Sequence, residues 1–405
     1  MSRAAATLAG LYERHVMNTY VRAPLSLTKG KGSRVWDIDG HEYLDLFPGW
    51  GVSALGHNHP FVVTALRGQA GRLMHVANTY YHPLQAKAAR KLVSVAFEGK
   101  VFFCNSGAEG VETAVKLARK WGHSAHGVTG GATGRYEIIT MDRSFHGRTM
   151  AALSATGQTK YQEGFEPLVP GFVHVPFNDL KAVEQAVTEK TVAVLVEPIQ
   201  GEGGVRVASD EYLRGLRALC DARKLLLIFD EVQTGMGRTG TWFGYQHAGV
   251  IPDVMILAKA LGGGFPIAAV IARPDVAEAL TPGTHATTYG GSPLGCACVL
   301  AVFEAVEKQK LLERTVQLGA VALARMQGWA KRFAFIRDVR GRGLMLGMEL
   351  RHDGRPIVAA CREARLLINC TQETVLRILP AMTITRAQLD RGLDILEGVL
   401  ERHTG

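Results

Sequence analysis

The sequence predicts an α/β fold in which a large domain, built on a mainly parallel central sheet flanked by helices, is joined by a smaller α+β domain. Three observations carry this. Apolar, β-branched-rich runs recur without alternation and end in polar or glycine residues: "RYEIITMDRSFHGRT", "TVAVLVEPIQGEGG", "KLLLIFDEVQTGMGRTG" and "DVMILAKALGGG". Such strands, with helices between them, form a sheet buried on both faces. Helical periodicity fills the intervals, as in "LQAKAARKLVSVAF", and "KVFFCNSGAEGVETAVKLARKWG" reads as strand, small-residue turn and helix. Beyond about residue 300 the pattern becomes helix, helix, "FAFIRDVRGRGLMLGMELR", helix, "LLINCT", "TVLRILPAMTI" and a final helix, which reads as a smaller mixed unit.

Taken in order, residues 1–50 form an N-terminal arm and a small hairpin that belong with the smaller domain. "GKGSRVWDIDGHEYLDL" alternates and turns at Asp39-Gly40. Residues 51–300 form the large domain and residues 301–405 the C-terminal small domain. A chain of 405 residues exceeds one simple core, which agrees with this division. No internal repeat, low-complexity tract or long linker stands out.

Composition narrows the function classes. With 47% hydrophobic and 20% charged residues this is an ordinary soluble globular chain. The start, "MSRAAATLAGLYERHVMNTY", has no unbroken apolar segment of a secretory signal, so a cytoplasmic location is expected. The least polar window, Val254 to Ala272, contains Lys259, three glycines and Pro266. A central lysine costs roughly 2.5–3.5 kcal/mol on insertion scales, so this is a core element and no membrane is expected. The six cysteines show neither CxxC nor zinc spacing; they read as reduced packing residues, and no metal is expected. The net charge of +9 is spread along the chain without a basic block, which points to anionic small substrates and away from nucleic acid.

Functional groups gather at the carboxyl ends of parallel strands, and four such ends deliver four chemistries. In "CNSGAEGVE", Ser106, Gly107 and Ala108 open a helix, whose free N–H groups and dipole favour a phosphate. The same residues also fit a plain Ser cap with Glu109 at capping-box spacing. In "LLLIFDEVQTG" five apolar residues run into Asp230, and an acid at that depth requires a cation: a protein Arg or Lys, or the protonated ring nitrogen of a cofactor. Lys259 also ends an apolar run. It is either exposed at the strand exit or desolvated, and a desolvated lysine keeps a neutral fraction that attacks a carbonyl to form a Schiff base. The "ALGGG" after it permits close approach or positive φ. In "SFHGRT", Phe145 can stack on a flat ring and Arg148 can fork onto a carboxylate; core and surface roles are the alternatives. Together the four sites meet the needs of pyridoxal 5′-phosphate (PLP).

The spans "NSGAEG", "SFHGRT", "VEPIQGEGGV", "IFDEVQTGMGRTG", "LAKALGGGFPIAAV" and "TTYGGSPLG" resemble those of the class III, ω-amino aminotransferases of PLP fold type I. Within that class the resemblance is greatest to the acetylornithine-specific branch, with the ornithine δ-specific branch next. It implies that residues 51–300 bind PLP and that Lys259 holds it as a Schiff base and moves the proton. Asp230 would keep the pyridine nitrogen protonated, Gln233 would contact the ring hydroxyl, and Phe145 would stack on the ring. Ser106, Gly107 and Ala108 would cradle the phosphate, with Glu231 and Val232 beside Asp230 in the cofactor-binding segment. Thr288 of a neighbouring subunit would complete the phosphate site, so a homodimer with its active site at the interface is implied.

The resemblance also implies substrate contacts at Arg148 for the carboxylate far from the reacting carbon, and at Arg377 for the α-carboxylate of glutamate or 2-oxoglutarate. Glu202 would neutralise Arg377 while the amine is bound, and Thr287, Tyr20 and Trp50 would line the substrate pocket. Trp50 stands where the acetylornithine enzymes often carry a small aliphatic and the ornithine enzymes a tyrosine. The expected reaction moves the δ-amino group of N2-acetyl-L-ornithine to 2-oxoglutarate. Ornithine, succinylornithine, 4-aminobutyrate and a lysine precursor on an acidic carrier protein remain alternative donors, and a mutase, epimerase or binding protein on the same fold is the alternative of a different class.

Overall fold

A computed structural model of the chain describes residues 2–125 and 134–403. Its centre is a seven-stranded sheet in the order Lys100–Cys104, Ala268–Ala272, Val254–Leu257, Leu226–Asp230, Thr191–Val196, Glu137–Met141, Phe172–Val175. Only Ala268–Ala272 runs against the others. The carboxyl ends at Cys104, Val196, Asp230 and Leu257 therefore open on one edge of the sheet.

The unalternating sequence of these strands follows from burial on both faces. Val194, Val196, Leu227, Phe229, Met255 and Leu257 pack into one helical layer. Ala193, Leu195, Leu226, Ile228, Val254 and Ile256 pack into the other, against the helix Gly107–Ala125. Phe229 is fully buried and stacks on Tyr245 with centroids 6.1 Å apart. Truncating such a ring to Ala costs about 3–5 kcal/mol.

The second core surrounds an antiparallel sheet in the order Ile336–Arg342, Met345–Leu350, Val375–Ile378, Asn369–Thr371, covered by the helices Leu311–Arg332, Arg355–Glu363 and Arg386–Arg402. A third sheet joins the N-terminal strands Leu27–Lys31, Arg34–Asp37 and Glu42–Asp45 to Leu366–Leu367, which lies parallel to Glu42–Asp45 with Leu366 opposite Leu44. The N-terminal ribbon is thus sealed by the C-terminal part of the chain. Arg238, fully buried, clips the two cores together: its Nη1 donates to the carbonyls of Leu344 (3.2 Å) and Pro380 (2.5 Å), and burial pushes its guanidinium down to about 10.

Candidate active site

The strand ends surround a cavity of about 430 Å3 lined by Ser106, Gly107, Ala108, Phe145, Arg148, Val232, Gln233 and Lys259, among others. That is within the range of small-molecule sites.

Asp230 ends its strand nearly buried, and its partner is a histidine, not the Arg or Lys that sequence offered. Nδ1 of His146 lies 2.8 Å from Oδ2 of Asp230, while the N–H of Val232 donates to Oδ1 at 3.0 Å. Glu197, at the end of the adjacent strand, also lines the cavity and accepts the Phe145 N–H at 3.0 Å. Burial and the neighbouring Asp230 hold its carboxyl well above the usual range.

Strand alternation separates Asp230 from Glu231. Glu231 does not line the cavity; its carboxylate turns the other way and accepts the N–H groups of Gly244 (2.9 Å) and Tyr245 (2.8 Å) and the Thr234 hydroxyl. Its carboxylate is therefore committed to these donors rather than to the cavity. Burial outweighs these donors and pushes the carboxyl up to about 7.

Lys259 sits just past its strand with φ at +42°, a left-handed conformation costly for a residue with a Cβ. Among the described residues its Nζ has no hydrogen-bond partner. Burial pushes its pKa below the ordinary lysine value, against the pull of Glu202, Asp230 and Glu197. The glycines that follow serve the turn: Gly263 has φ at +58°, and a Cβ there would stand 2.9 Å from Val302.

At the helix start, Ser106 Oγ accepts the Glu109 N–H at 3.3 Å, but Glu109 reaches back to the N–H of Asn105 (2.7 Å) and not to Ser106. The capping box is therefore shifted by one residue. Gly147, with φ at +138°, lets its loop close onto this turn, since a Cβ there would lie 2.8 Å from that of Ala108. The result is a small-residue cradle at the positive end of a helix dipole.

Arg377 is completely buried and held by Glu202 through two contacts, Nη1–Oε1 at 2.6 Å and Nη2–Oε2 at 3.3 Å. Asn369 Oδ1 accepts from Nη2 at 2.9 Å, Phe47 lies under the guanidinium at 4.8 Å, and Gln233 bridges the pair at 3.4 and 3.5 Å. Burial raises the Glu202 carboxyl, but the Arg377 charge prevails and leaves it below the usual range. Arg148, by contrast, is exposed and among the described residues makes no ion pair; its guanidinium sits 3.9 Å from the Tyr161 ring centroid.

Besides Glu231, five expected contacts do not line this cavity within one chain: Arg377 lies behind Glu202 and Gln233, which do, and Tyr20, Trp50, Thr287 and Thr288 lie outside it. Tyr20 is 65% exposed on the arm and Trp50 49% exposed. Thr288 is exposed, and Thr287 Oγ1 lies 3.4 Å from Asn105 Nδ2 at the margin. Trp50 occupies a left-handed position (φ 56°) in the Pro48–Gly51 turn, which packs on the Lys259–Gly262 turn. Conversely, sequence reasoning passed over His146, Glu197 and Asn369. His146 was within reach, since it lies between Phe145 and Arg148 in the same loop.

A small-residue phosphate cradle, a buried acid at depth, an unpartnered lysine between them and a carboxylate-binding arginine define a site for PLP, and the residues fit that cofactor. The family model described as Aminotransferase class-III matches residues 16–400, and the chain belongs to the class III aminotransferases, which are PLP-dependent enzymes. It is 46% identical over 389 residues to the acetylornithine aminotransferase of Methanocaldococcus jannaschii, covering 96% of each chain. To that of Myxococcus xanthus it is 46% identical over 380 residues, covering 93% of this chain and 94% of the other. Among solved structures, the ornithine aminotransferase of Toxoplasma gondii superposes with a TM-score of 0.94 at 33% identity, over 98% of this chain and 95% of the other. The acetylornithine aminotransferase of Elizabethkingia anophelis does so at 0.87 and 33%, over 98% and 99%.

Proposed function

We propose that the chain moves the δ-amino group of N2-acetyl-L-ornithine to 2-oxoglutarate, giving N-acetyl-L-glutamate 5-semialdehyde and L-glutamate, as in arginine biosynthesis. Similarity to the acetylornithine enzymes supports the reading, and one observation carries it. Arg148 lines the cavity without an ion pair among the described residues, and Arg377, buried behind the cavity wall, is neutralised by Glu202, which lines it. A donor with one carboxylate and an uncharged acetylated nitrogen needs one free cation. The dicarboxylic acceptor needs two, and Glu202 swinging off Arg377 provides the second. Ornithine would bring an additional ammonium towards Arg148, which no carboxylate screens.

When bound, PLP supplies an aldehyde that takes up the amino group and a ring that draws electrons from the reacting carbon. The chain's residues do the rest. Lys259 Nζ, whose charged form burial disfavours, would take and return the proton at the substrate carbon. Asp230 would hold a positive charge at the ring nitrogen, Phe145 would cover the ring, Gln233 would meet its hydroxyl, and Ser106, Gly107 and Ala108 would hold the phosphate.

A homodimer completes this reading. Leu73, Met74, Tyr80, Tyr81 and Tyr289 are large exposed hydrophobics. His75 touches Tyr289 and Asn78 donates to the Thr287 and Gly290 carbonyls, so they form one apolar face beside Thr287 and Thr288. The two threonines beside that face would serve a partner's site. The unpaired thiols suit a cytoplasmic location, and no helix among the described residues is long and apolar enough to cross a membrane. Steady-state comparison of acetylornithine, ornithine, succinylornithine and 4-aminobutyrate tests the assignment. A higher kcat/KM for unacetylated ornithine overturns it.

A further inference from the structure

A second cavity, of about 750 Å3, lies where the hairpin Ile199–Gln200/Arg206–Val207 meets the sheet of the small domain. It shares no lining residue with the first cavity. Its wall carries four guanidinium groups, Arg143, Arg206, Arg337 and Arg340, against two carboxylates, Asp338 and Glu349. Both acids are already engaged: Arg340 pairs with Asp338 (2.6 Å) and Glu349 (2.7 Å), and Arg337 takes the other Glu349 oxygen at 3.3 Å. Arg340 is further fixed by donating to the carbonyls of Gly204 and Val205.

Arg143 and Arg206 are left over. Among the described residues neither side chain has a carboxylate within ion-pair distance. They are also close enough to repel: burial first, then the Arg143 and Arg340 charges, push the Arg206 guanidinium below its ordinary value. Two planar forks without a carboxylate partner, lining one solvent-open pocket, match oxyanion geometry, since each can hold a carboxylate or phosphate through two parallel N–H donors. Arg143 is exposed and Arg206 half-buried, so what keeps them together is the backbone each extends from. Here Arg206 is anchored on its hairpin strand, and Arg143 directly follows the central-sheet strand Glu137–Met141 and Asp142.

We propose that this cavity is a second ligand site, for a small molecule carrying two or more phosphate or carboxylate groups, held chiefly by Arg143 and Arg206. The test titrates the PLP-saturated enzyme with pyrophosphate, citrate and acetate at constant ionic strength, following heat release and thermal midpoint. A saturable isotherm for pyrophosphate or citrate, absent for acetate, is expected; the tighter of the two assigns phosphate or polycarboxylate chemistry. R143Q/R206Q should weaken it at least tenfold with basal transamination unchanged, and E349Q, which frees a resident guanidinium, should tighten it severalfold. R148Q, at the other cavity, should leave the isotherm in place. The absence of saturable binding, an isotherm unchanged in R143Q/R206Q, or one lost in R148Q overturns the proposal.

Discussion

Nδ1 of His146 stands 2.8 Å from Oδ2 of Asp230, inside the protein and 84 residues away in sequence. The Nε2 of the same buried ring has no hydrogen-bond partner. A ring held at one nitrogen only is oriented by that one bond, so the contact fixes both groups at once: the imidazole donates to the carboxylate, and the carboxylate stays aimed at the cavity. His146 is a positioning residue for Asp230. Hydrogen bonds to charged groups contribute about 1.5–3 kcal/mol. His146→Phe should therefore lower kcat roughly 10- to 100-fold with little change in KM and shift the pH dependence of the cofactor absorbance band. His146→Asn, which can still donate, should recover part of both. Equal loss in the two variants would indicate a packing role alone.

Lys259→Ala should leave the fold intact and abolish turnover. Among the described residues Lys259 Nζ makes no hydrogen bond and burial disfavours its charge, so folding does not depend on it. Transamination by the variant at more than a trace, with donor and PLP in excess, would remove Lys259 from its assigned role.

The Glu202–Arg377 pair gives an asymmetric prediction. Glu202→Gln should raise KM for the amine donor while leaving or lowering KM for 2-oxoglutarate, because Arg377 is then permanently available to the acceptor. Arg377→Ala should slow the acceptor half-reaction most. It should also destabilise the protein, since breaking a buried pair costs about 3–5 kcal/mol. Single-turnover measurements of each half-reaction distinguish these outcomes from a uniform loss.

Glu231 sets a pH dependence of stability unrelated to catalysis. Its carboxyl is raised from 4.5 to about 7 by burial, so the folded state binds the proton more tightly than the unfolded one. Its contribution is complete below about pH 4.5 and declines as pH rises to about 7, by roughly 3 kcal/mol at most. Thermal midpoints measured from pH 5 to 8 should fall less steeply in Glu231→Gln than in the parent. Parallel curves would show that Glu231 is ionised throughout.

Much of the fold and half of the site could be read in sequence, for a physical reason. Asp230 and Lys259 are each a charge at the end of an apolar run, and burying one is costly enough to demand an explanation within the same few residues. The cradle at Ser106–Ala108 is likewise local, a turn into a helix. What escaped was pairwise. His146 and Asp230 meet only because two loops leave the same edge of the sheet, and Asn369 reaches Arg377 across an antiparallel strand pair. For Glu231 the direction of the side chain was also legible: neighbours along an extended chain alternate, so if Asp230 faces the cavity, the Glu231 carboxylate faces away. Tyr20, Trp50, Thr287 and Thr288 were expected at a site shared between two chains, and one chain leaves them at its margin or exposed.

The parallel pairing of Leu44 with Leu366 bears on how the protein is made. The strand Glu42–Asp45 leaves the ribosome about 320 residues before its neighbour exists. At roughly 5–20 residues per second its free edge stays unpaired for tens of seconds, with Leu44 and Leu46 waiting for the core that will bury them. Chains cut short near their end would present this edge for good, and open edges pair readily with other strands. A strand synthesised late thus closes one synthesised early, and truncation before Leu366 should show up as aggregation of newly made protein before it shows up as lost activity.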